Sequence, residues 1–293
     1  MGNAAKAKNK HKDKKAKKPK LIKPTLAEQA DKHALYQMAV QDPEVELDFF
    51  VKTFNELKGR EPMSLREDFC GTFHISVDWL KRNPKYTAVG VDFDQPTLDW
   101  GHKHNLEPAG ENVASRLQLF CDDVRKVTEP RVDMDCALNF SYCIFQTRDE
   151  LRGYFEKAYE SLNDDGILFM DLFGGTECQD ELEEETELDV DATYIWEHAK
   201  FNPIKNNIVC HIHFEFADGS RLEKAFTYNW RLWSLPEIRE LLEEAGFKKV
   251  RVYWEEYEEG DEDDEDMEGT GEYYETDDVE NQESWMVYIV AEK

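Results

Sequence analysis

No stretch of the 293-residue chain comes near the roughly 18 consecutive apolar residues a membrane helix needs, and no apolar h-region follows Met1. Neither a membrane span nor secretion is expected, and the expected location is the cytoplasm. C-x-x-C pairs are absent. Cys70, Cys121, Cys136, Cys143, Cys178 and Cys210 are scattered, and without a secretion signal they read as small buried hydrophobes in a reducing compartment. No G-x-G-x-x-G follows a strand-like run and no Walker loop occurs, which sets aside a nicotinamide enzyme and an ATPase. Bases are missing altogether from residues 177–191, which hold nine acids, and from residues 255–283, which hold seventeen.

What is present is ample apolar material, 40% of residues, enough for one large domain, and a strong acidic excess of 64 Asp and Glu over 36 Lys and Arg. That excess is segregated. Residues 1–24 carry ten lysines against Asp13 alone, and setting the three charged segments aside leaves 37 acids against 26 bases, a net of −11 instead of −28. Blocks this dense in one sign repel themselves, so a basic disordered tail over 1–24 and acidic loops over 177–191 and 258–283 are expected. The tail also offers a nuclear address, a membrane-surface contact, or an arm for nucleic acid or another acidic partner.

Between the tails the pattern alternates. A helical segment is expected over 25–63. From residue 64, strand-like runs at 65–69, 88–93, 117–121, 134–140 and 167–173 are separated by helical spacing, with a capping box at Thr147-Arg148-Asp149-Glu150. Residues 193–230 instead alternate in period two and form an antiparallel β insertion; a second capping box opens a helix at Ser234, and strands at 249–257 and 284–292 close the domain 64–293. The expected fold is α/β: a doubly wound, mostly parallel sheet with helices on both faces, plus the insertion before the last helix. Ligands on such sheets bind beyond the carboxyl ends of the strands, where Asp92, Asp94, Asp122 and Asp123 fall.

L-R-E-D-F-C-G-T-F at residues 65–73, V-G-V-D-F-D at 89–94 and C-D-D-V at 121–124 resemble the class I S-adenosylmethionine-dependent methyltransferases. The resemblance implies a seven-stranded sheet with an antiparallel last strand, and S-adenosylmethionine as cofactor. It implies that Glu67, or Asp68 beside it, holds the amino end of that cofactor, with the turn Cys70-Gly71-Thr72 against its methionine part. Asp92, followed by Phe93, would take the ribose hydroxyls; Asp123 and Val124 would face the adenine amino group; Asn139 and Phe140, with Ser141, would line the floor near the sulfonium. Phe69 and Phe73 stand where the family has glycines, so a modified loop path is expected.

The family's methyl transfer is a direct displacement that mainly needs alignment and a dry site, so catalytic residues are poorly marked in sequence. Tyr142 and Tyr228 are the catalytic candidates. Tyr36, Trp196, Trp230 and Arg231 are the substrate candidates, the aromatics because they suit a cationic donor. No metal is expected. His211 and His213 share one face of a strand and are expected to line the substrate cleft. The expected activity is methylation of a small molecule. Its alternatives are methylation of a protein or RNA tethered by the lysine tail, and a non-catalytic binding module of the same fold.

Overall fold

The computed structural model describes residues 23–257 and 269–293, so the lysine tail through residue 22 and residues 258–268 of the expected acidic loop lie outside the described residues. Five strands lie parallel: β1 (Ser64–Asp68), β2 (Thr87–Asp92), β3 (Leu117–Cys121), β4 (Val132–Ala137) and β5 (Leu162–Gly174). A second sheet follows, made of β6 (Leu182–Glu187), β7 (Ala192–Asn202), β8 (Asn207–Phe216) and β9 (Arg221–Arg231), all antiparallel neighbours. The chain then rejoins the first sheet through β10 (Lys249–Tyr257), β11 (Gly269–Glu275) and β12 (Trp285–Glu292). The large sheet has the order β11-β10-β12-β5-β4-β1-β2-β3, with β12 antiparallel to β5. The strand order reverses between β1 and β4, and that is where a doubly wound sheet opens a ligand crevice.

The helices begin with α1 (Leu26–Gln29), α2 (Lys32–Val40) and α3 (Pro43–Lys58). Then α4 (His74–Arg82) links β1 to β2. The run α5 (Gln95–Gly101), α6 (Glu107–Ala109) and α7 (Glu111–Ala114) links β2 to β3, α8 (Arg148–Ser161) links β4 to β5, and α9 (Leu235–Ala245) precedes β10. Both expected capping boxes form, at Thr147 with Glu150 and at Ser234 with Glu237, and α9 stops at Gly246 in the left-handed conformation, φ 112°. Helix α3 starts at Asp42 and Pro43 and buries Leu47, Phe50 and Phe54 at helical spacing, with Phe50 stacked on Phe169 at 4.5 Å. Burying a ring of this size stabilises by roughly 1.5–3 kcal/mol, so α3 is part of the core under the sheet. Helices α8 and α9 cover the opposite face.

Two expectations change. The acidic stretches were expected as loops, yet β6 comes from 177–191 and β11 from 258–283, the latter adding an eighth strand at the sheet edge. Both are edge strands with one neighbour each, so acids can stay in water while the backbone pairs. In β6, Leu182, Glu184 and Thr186 turn one way and Glu183, Glu185 and Glu187 the other. Charge density hid that alternation.

The N-terminal segment straps the two sheets together. The Leu26 and Ala27 N–H groups donate to Asp218 (3.0 Å) and Ser220 (3.0 Å) on the β8–β9 turn. Trp100 of α5 donates to Asp31 at 2.7 Å, and Gln37 of α2 donates to Thr72 after β1 at 2.7 Å. Among the described residues no helix is long and apolar enough to cross a membrane.

Candidate functional site

The turn after β1 holds two phenylalanines in the left-handed conformation that glycine takes freely. Phe69 (φ 56°), Gly71 (φ 50°) and Phe73 (φ 48°) are all left-handed. Phe73 is fully buried and Phe69 packs on Phe145 and Tyr154, so ring packing holds the two strained residues in place. Gly101 matters for the same turn, because a Cβ there would sit 2.5 Å from the Thr72 carbonyl oxygen. A second left-handed pair, Asn139 (φ 54°) and Phe140 (φ 55°), ends β4. Asp171 of β5 accepts both of their N–H groups, at 2.6 and 2.9 Å. Strained backbone of this kind collects where a fold carries function, and here it marks the ends of the two strands that flank the reversal.

The acids at the strand ends separate into different roles. Glu67 is buried and accepts from the Ser76 N–H (2.9 Å) and hydroxyl (2.5 Å) of α4. Asp68 points to the other face, where Arg66 and Tyr154 occupy its carboxylate, so of the two candidates only Glu67 shares the α4 side. Asp92 accepts from the Gly71 N–H (2.8 Å) and the Asp94 N–H (2.8 Å), tying the β1 turn to the end of β2. The cap of α5 is Asp94 and not Asp92. Beside Asp92 the Phe93 ring is 70% exposed, an unusual position for a large apolar side chain. Asp123 is held by Arg125 at 2.9 and 2.6 Å, and that bond lowers its pKa to about 2. Val124 is buried in the core, so its side chain faces no ligand. Cys70 is buried too, and Thr72 is committed to Gln37.

Between the two sheets lies a cavity of about 260 Å³. Asn139 and Phe140 form part of its wall, so the strained end of β4 borders both the strand-end acids and the cavity. The second sheet contributes Tyr194, Trp196, Tyr228 and Trp230, and α2 contributes Tyr36. Tyr228 and Trp230 stack at 4.4 Å, and the Tyr36 and Tyr228 hydroxyls interact with each other. Burial raises the Tyr228 pKa above its ordinary value, so it is a phenol at neutral pH.

Four candidates fail on geometry. Tyr142 is fully buried and its hydroxyl donates to the Asp171 carbonyl at 2.6 Å, so it reaches no ligand. Arg231 pairs with Glu237 at 3.0 Å and lies over Trp233 at 3.8 Å, outside the cavity. His211 and His213 sit on the far face of β8: His211 bonds to Thr227, and His213 lies between Glu197 and Glu223. Among the described residues no three His, Cys, Asp or Glu side chains are placed to hold a metal ion.

The sequence reading missed His198. It lines the cavity, it is buried, its Nδ1 has no partner, and burial lowers its pKa so that it is neutral. Trp230 brings a second unpartnered group, its indole N–H. The available signal was parity: His198 alternates with Tyr194 and Trp196 along β7, all facing one way.

Burial pushes Asp171 and Glu67 up to about 7. Unfolded Asp and Glu titrate near about 3.9 and 4.3. Between those values and 7 the folded state holds protons that the unfolded chain has released, so stability falls as pH rises and the loss is complete above 7. Thermal midpoints are expected to drop from pH 5 to 7.5, and Asp171→Asn to flatten part of that slope. A midpoint that climbs across this range contradicts the burial of these groups.

No protein-family model matches the chain. A carboxy-S-adenosyl-L-methionine synthase from Actinobacillus succinogenes is 29% identical over 89 residues, which cover 30% of this chain and 35% of that protein's length. Among solved structures, an S-adenosylmethionine-dependent methyltransferase from Clostridium acetobutylicum superposes with TM-score 0.64 at 15% identity, over 89% of this chain and 96% of that one. A SAM-bound amino pentose methyltransferase from Micromonospora echinaspora gives 0.61 at 13% identity, over 89% and 95%. A sugar N-methyltransferase from Streptoalloteichus sp. gives 0.58 at 14% identity, over 94% and 98%. The chain has the fold of the S-adenosylmethionine-dependent methyltransferases.

Proposed function

We propose that the chain is an S-adenosylmethionine-dependent methyltransferase whose acceptor is a small polar molecule bound in the aromatic cavity. The carrying observation is the continuity of the site: the Gly71–Asp92 contact and the exposed Phe93 ring lie at the ends of β1 and β2, and Asn139 and Phe140, ending the neighbouring β4, line the cavity. The residues fit the cofactor. Each Asp92 oxygen accepts one N–H and keeps capacity for a ribose hydroxyl, and Phe93 offers a bare ring face to a base. When bound, S-adenosylmethionine supplies a methyl group on a sulfonium, which leaves as a neutral thioether without help from an acid.

The chain's own work is then to align the acceptor, exclude water and take a proton. Trp196, Tyr228 and Trp230 shape the cavity. Neutral His198 is the group suited to take the acceptor's proton, since Tyr228 is already protonated. A cavity of about 260 Å³ suits a molecule the size of a sugar better than a polymer. The amino pentose and sugar N-methyltransferases among the structural neighbours support an acceptor of that kind.

Thermal unfolding with S-adenosylmethionine or its demethylated product tests the reading. Ligand at 100 times its dissociation constant adds roughly 2.7 kcal/mol, or roughly 5–10 °C for a chain of this size. No shift with either at millimolar concentration rejects the enzyme and leaves the binding module. With binding in hand, deletion of residues 1–24 should leave small-molecule turnover intact, whereas methylation of a tethered macromolecule would weaken.

A further inference from the structure

The cavity between the two sheets is walled by rings that meet at different inclinations. Trp196 lies 5.8 Å from Trp230 at 37° and 5.9 Å from Tyr228 at 43°, and Phe140 meets Trp230 edge-on at 84°. Trp196, Tyr228 and Phe140 are only partly buried, so ring surface is left over on the cavity side. Strand β6 adds an acid to this wall. In the β6–β7 register Glu184 stands directly opposite Trp196, between the pairs Leu182–His198 and Thr186–Tyr194, and all of these residues line the cavity. Glu177, in the turn before β6, is a second carboxylate on the wall. Among the described residues no ion pair or hydrogen bond reaches either carboxylate, and no Lys or Arg lines the cavity. By contrast Glu183, which turns to the other face of β6, pairs with Arg221 at 3.3 Å. Withdrawal from water, and then the Glu177 charge, raise the Glu184 carboxyl above its ordinary range.

A carboxylate beside open ring surface, with no base on the wall, repels an anionic acceptor and attracts a cation. A metal ion is not the match, because no three ligating side chains among the described residues are placed to hold one. An organic ammonium is: it offers N–H donors to the carboxylate and a positive, weakly hydrated surface to the rings, of which Trp holds a cation best. The flow of charge during methyl transfer separates nitrogen from oxygen as the acceptor atom. An ammonium first gives a proton to neutral His198. The freed lone pair then forms the N–CH3 bond while the C–S pair stays on sulfur, so the nitrogen is positive again in the product. Glu184 and Glu177 therefore stabilise charge on the acceptor before and after the transfer. A hydroxyl acceptor has to build negative charge on oxygen beside the same two carboxylates, and both oppose it.

We propose that the cavity takes an organic amine as its acceptor, and that Glu184 with Trp196 selects it by its positive charge. The proposal rests on the methyltransferase reading above. The test is calorimetric titration of the full chain, with and without S-adenosylhomocysteine, using choline and its neutral isostere dimethylbutanol, in which carbon replaces the nitrogen. The wild type is expected to bind choline about 10-fold more tightly than the alcohol. Glu184→Gln is expected to weaken choline about fivefold and to leave the alcohol within about twofold. Glu185→Gln, one residue along β6 and on its other face, should change neither, which separates the cavity from general attraction to an acidic surface. Equal binding of the two probes by the wild type, no binding of choline, or a loss in Glu184→Gln no greater than in Glu185→Gln overturns the proposal. Failure of S-adenosylhomocysteine to bind overturns the methyltransferase reading instead, and the charge preference is still read on the chain alone. Both substitutions fall at exposed positions of an edge strand, so neither should lower the melting temperature. The wild-type preference between the probes reads the same contact with no substitution at all.

Discussion

Asp92→Ala is expected to abolish the thermal stabilisation by S-adenosylmethionine and by S-adenosylhomocysteine. Hydrogen bonds to an ionised group contribute about 1.5–3 kcal/mol each. Two ribose hydroxyls on one carboxylate therefore amount to roughly 3–6 kcal/mol, or roughly 10²–10⁴-fold in affinity. Asp92 also ties Gly71 to Asp94, so its removal costs some stability without ligand. Asp94→Ala separates the two effects. Asp94 accepts from the Thr97 N–H at 3.2 Å and caps α5, and losing such a cap costs about 1 kcal/mol. That variant should melt lower and still be stabilised by both ligands. If Asp92→Ala keeps a full ligand shift, the ribose assignment is wrong, however the unliganded protein behaves.

The acids at the strand ends were readable because each is announced locally: an apolar run, then Asp, then helical spacing. The two capping boxes and the order of the parallel strands were readable for the same reason. What stayed hidden depends on pairing between distant segments. Which face of β8 carries His211 and His213 is decided by its register with β7 and β9, where Cys210 opposes Tyr228 and His211 opposes Thr227. Sequence parity alone pairs the two histidines but does not say which side they occupy. His198 shares its face with Trp196 and Tyr194, and only the meeting of the two sheets turns that face into a cavity wall. Tyr142 follows a strand end and was a catalytic candidate, yet the short 3-10 turn Ser141–Ile144 folds it back into the core. Phe69 and Phe73 show a limit of another kind. Glycine is the residue that takes a left-handed φ freely, but tight packing around an aromatic ring can hold the same conformation at an energetic cost.

Arg66→Met is expected to produce the largest loss of stability of any single change considered. Arg66 is 1% exposed and joins four partners. Its guanidinium bonds Asp68 at 2.8 Å, lies 3.6 Å from Asp135, and donates to the carbonyls of Val127 (2.6 Å) and Val124 (3.1 Å). Without it, Asp68 and Asp135 are left buried without a cation, with the hydroxyls of Tyr154 and Ser161 among their remaining donors. Removing one partner of a buried ion pair costs about 3–5 kcal/mol, because the remaining charge has no compensation. For a chain of this length that is a drop of roughly 10 °C in the thermal midpoint. The same physics separates the ion pair from the packing. Replacing the charged set together, as Arg66→Met with Asp68→Leu and Asp135→Leu, should recover part of the midpoint, since a buried pair is often worth no more than apolar residues of similar volume. If the triple variant melts no higher than Arg66→Met alone, the loss comes from the Val124 and Val127 carbonyls and not from the stranded charges. That outcome would also bear on the site, because those carbonyls belong to the turn that presents Asp123. In the triple variant that turn has lost its anchor while the core charge is balanced. Its affinity for S-adenosylhomocysteine, measured beside its melting temperature, therefore shows whether Arg66 serves the cofactor end of the sheet as well as its core.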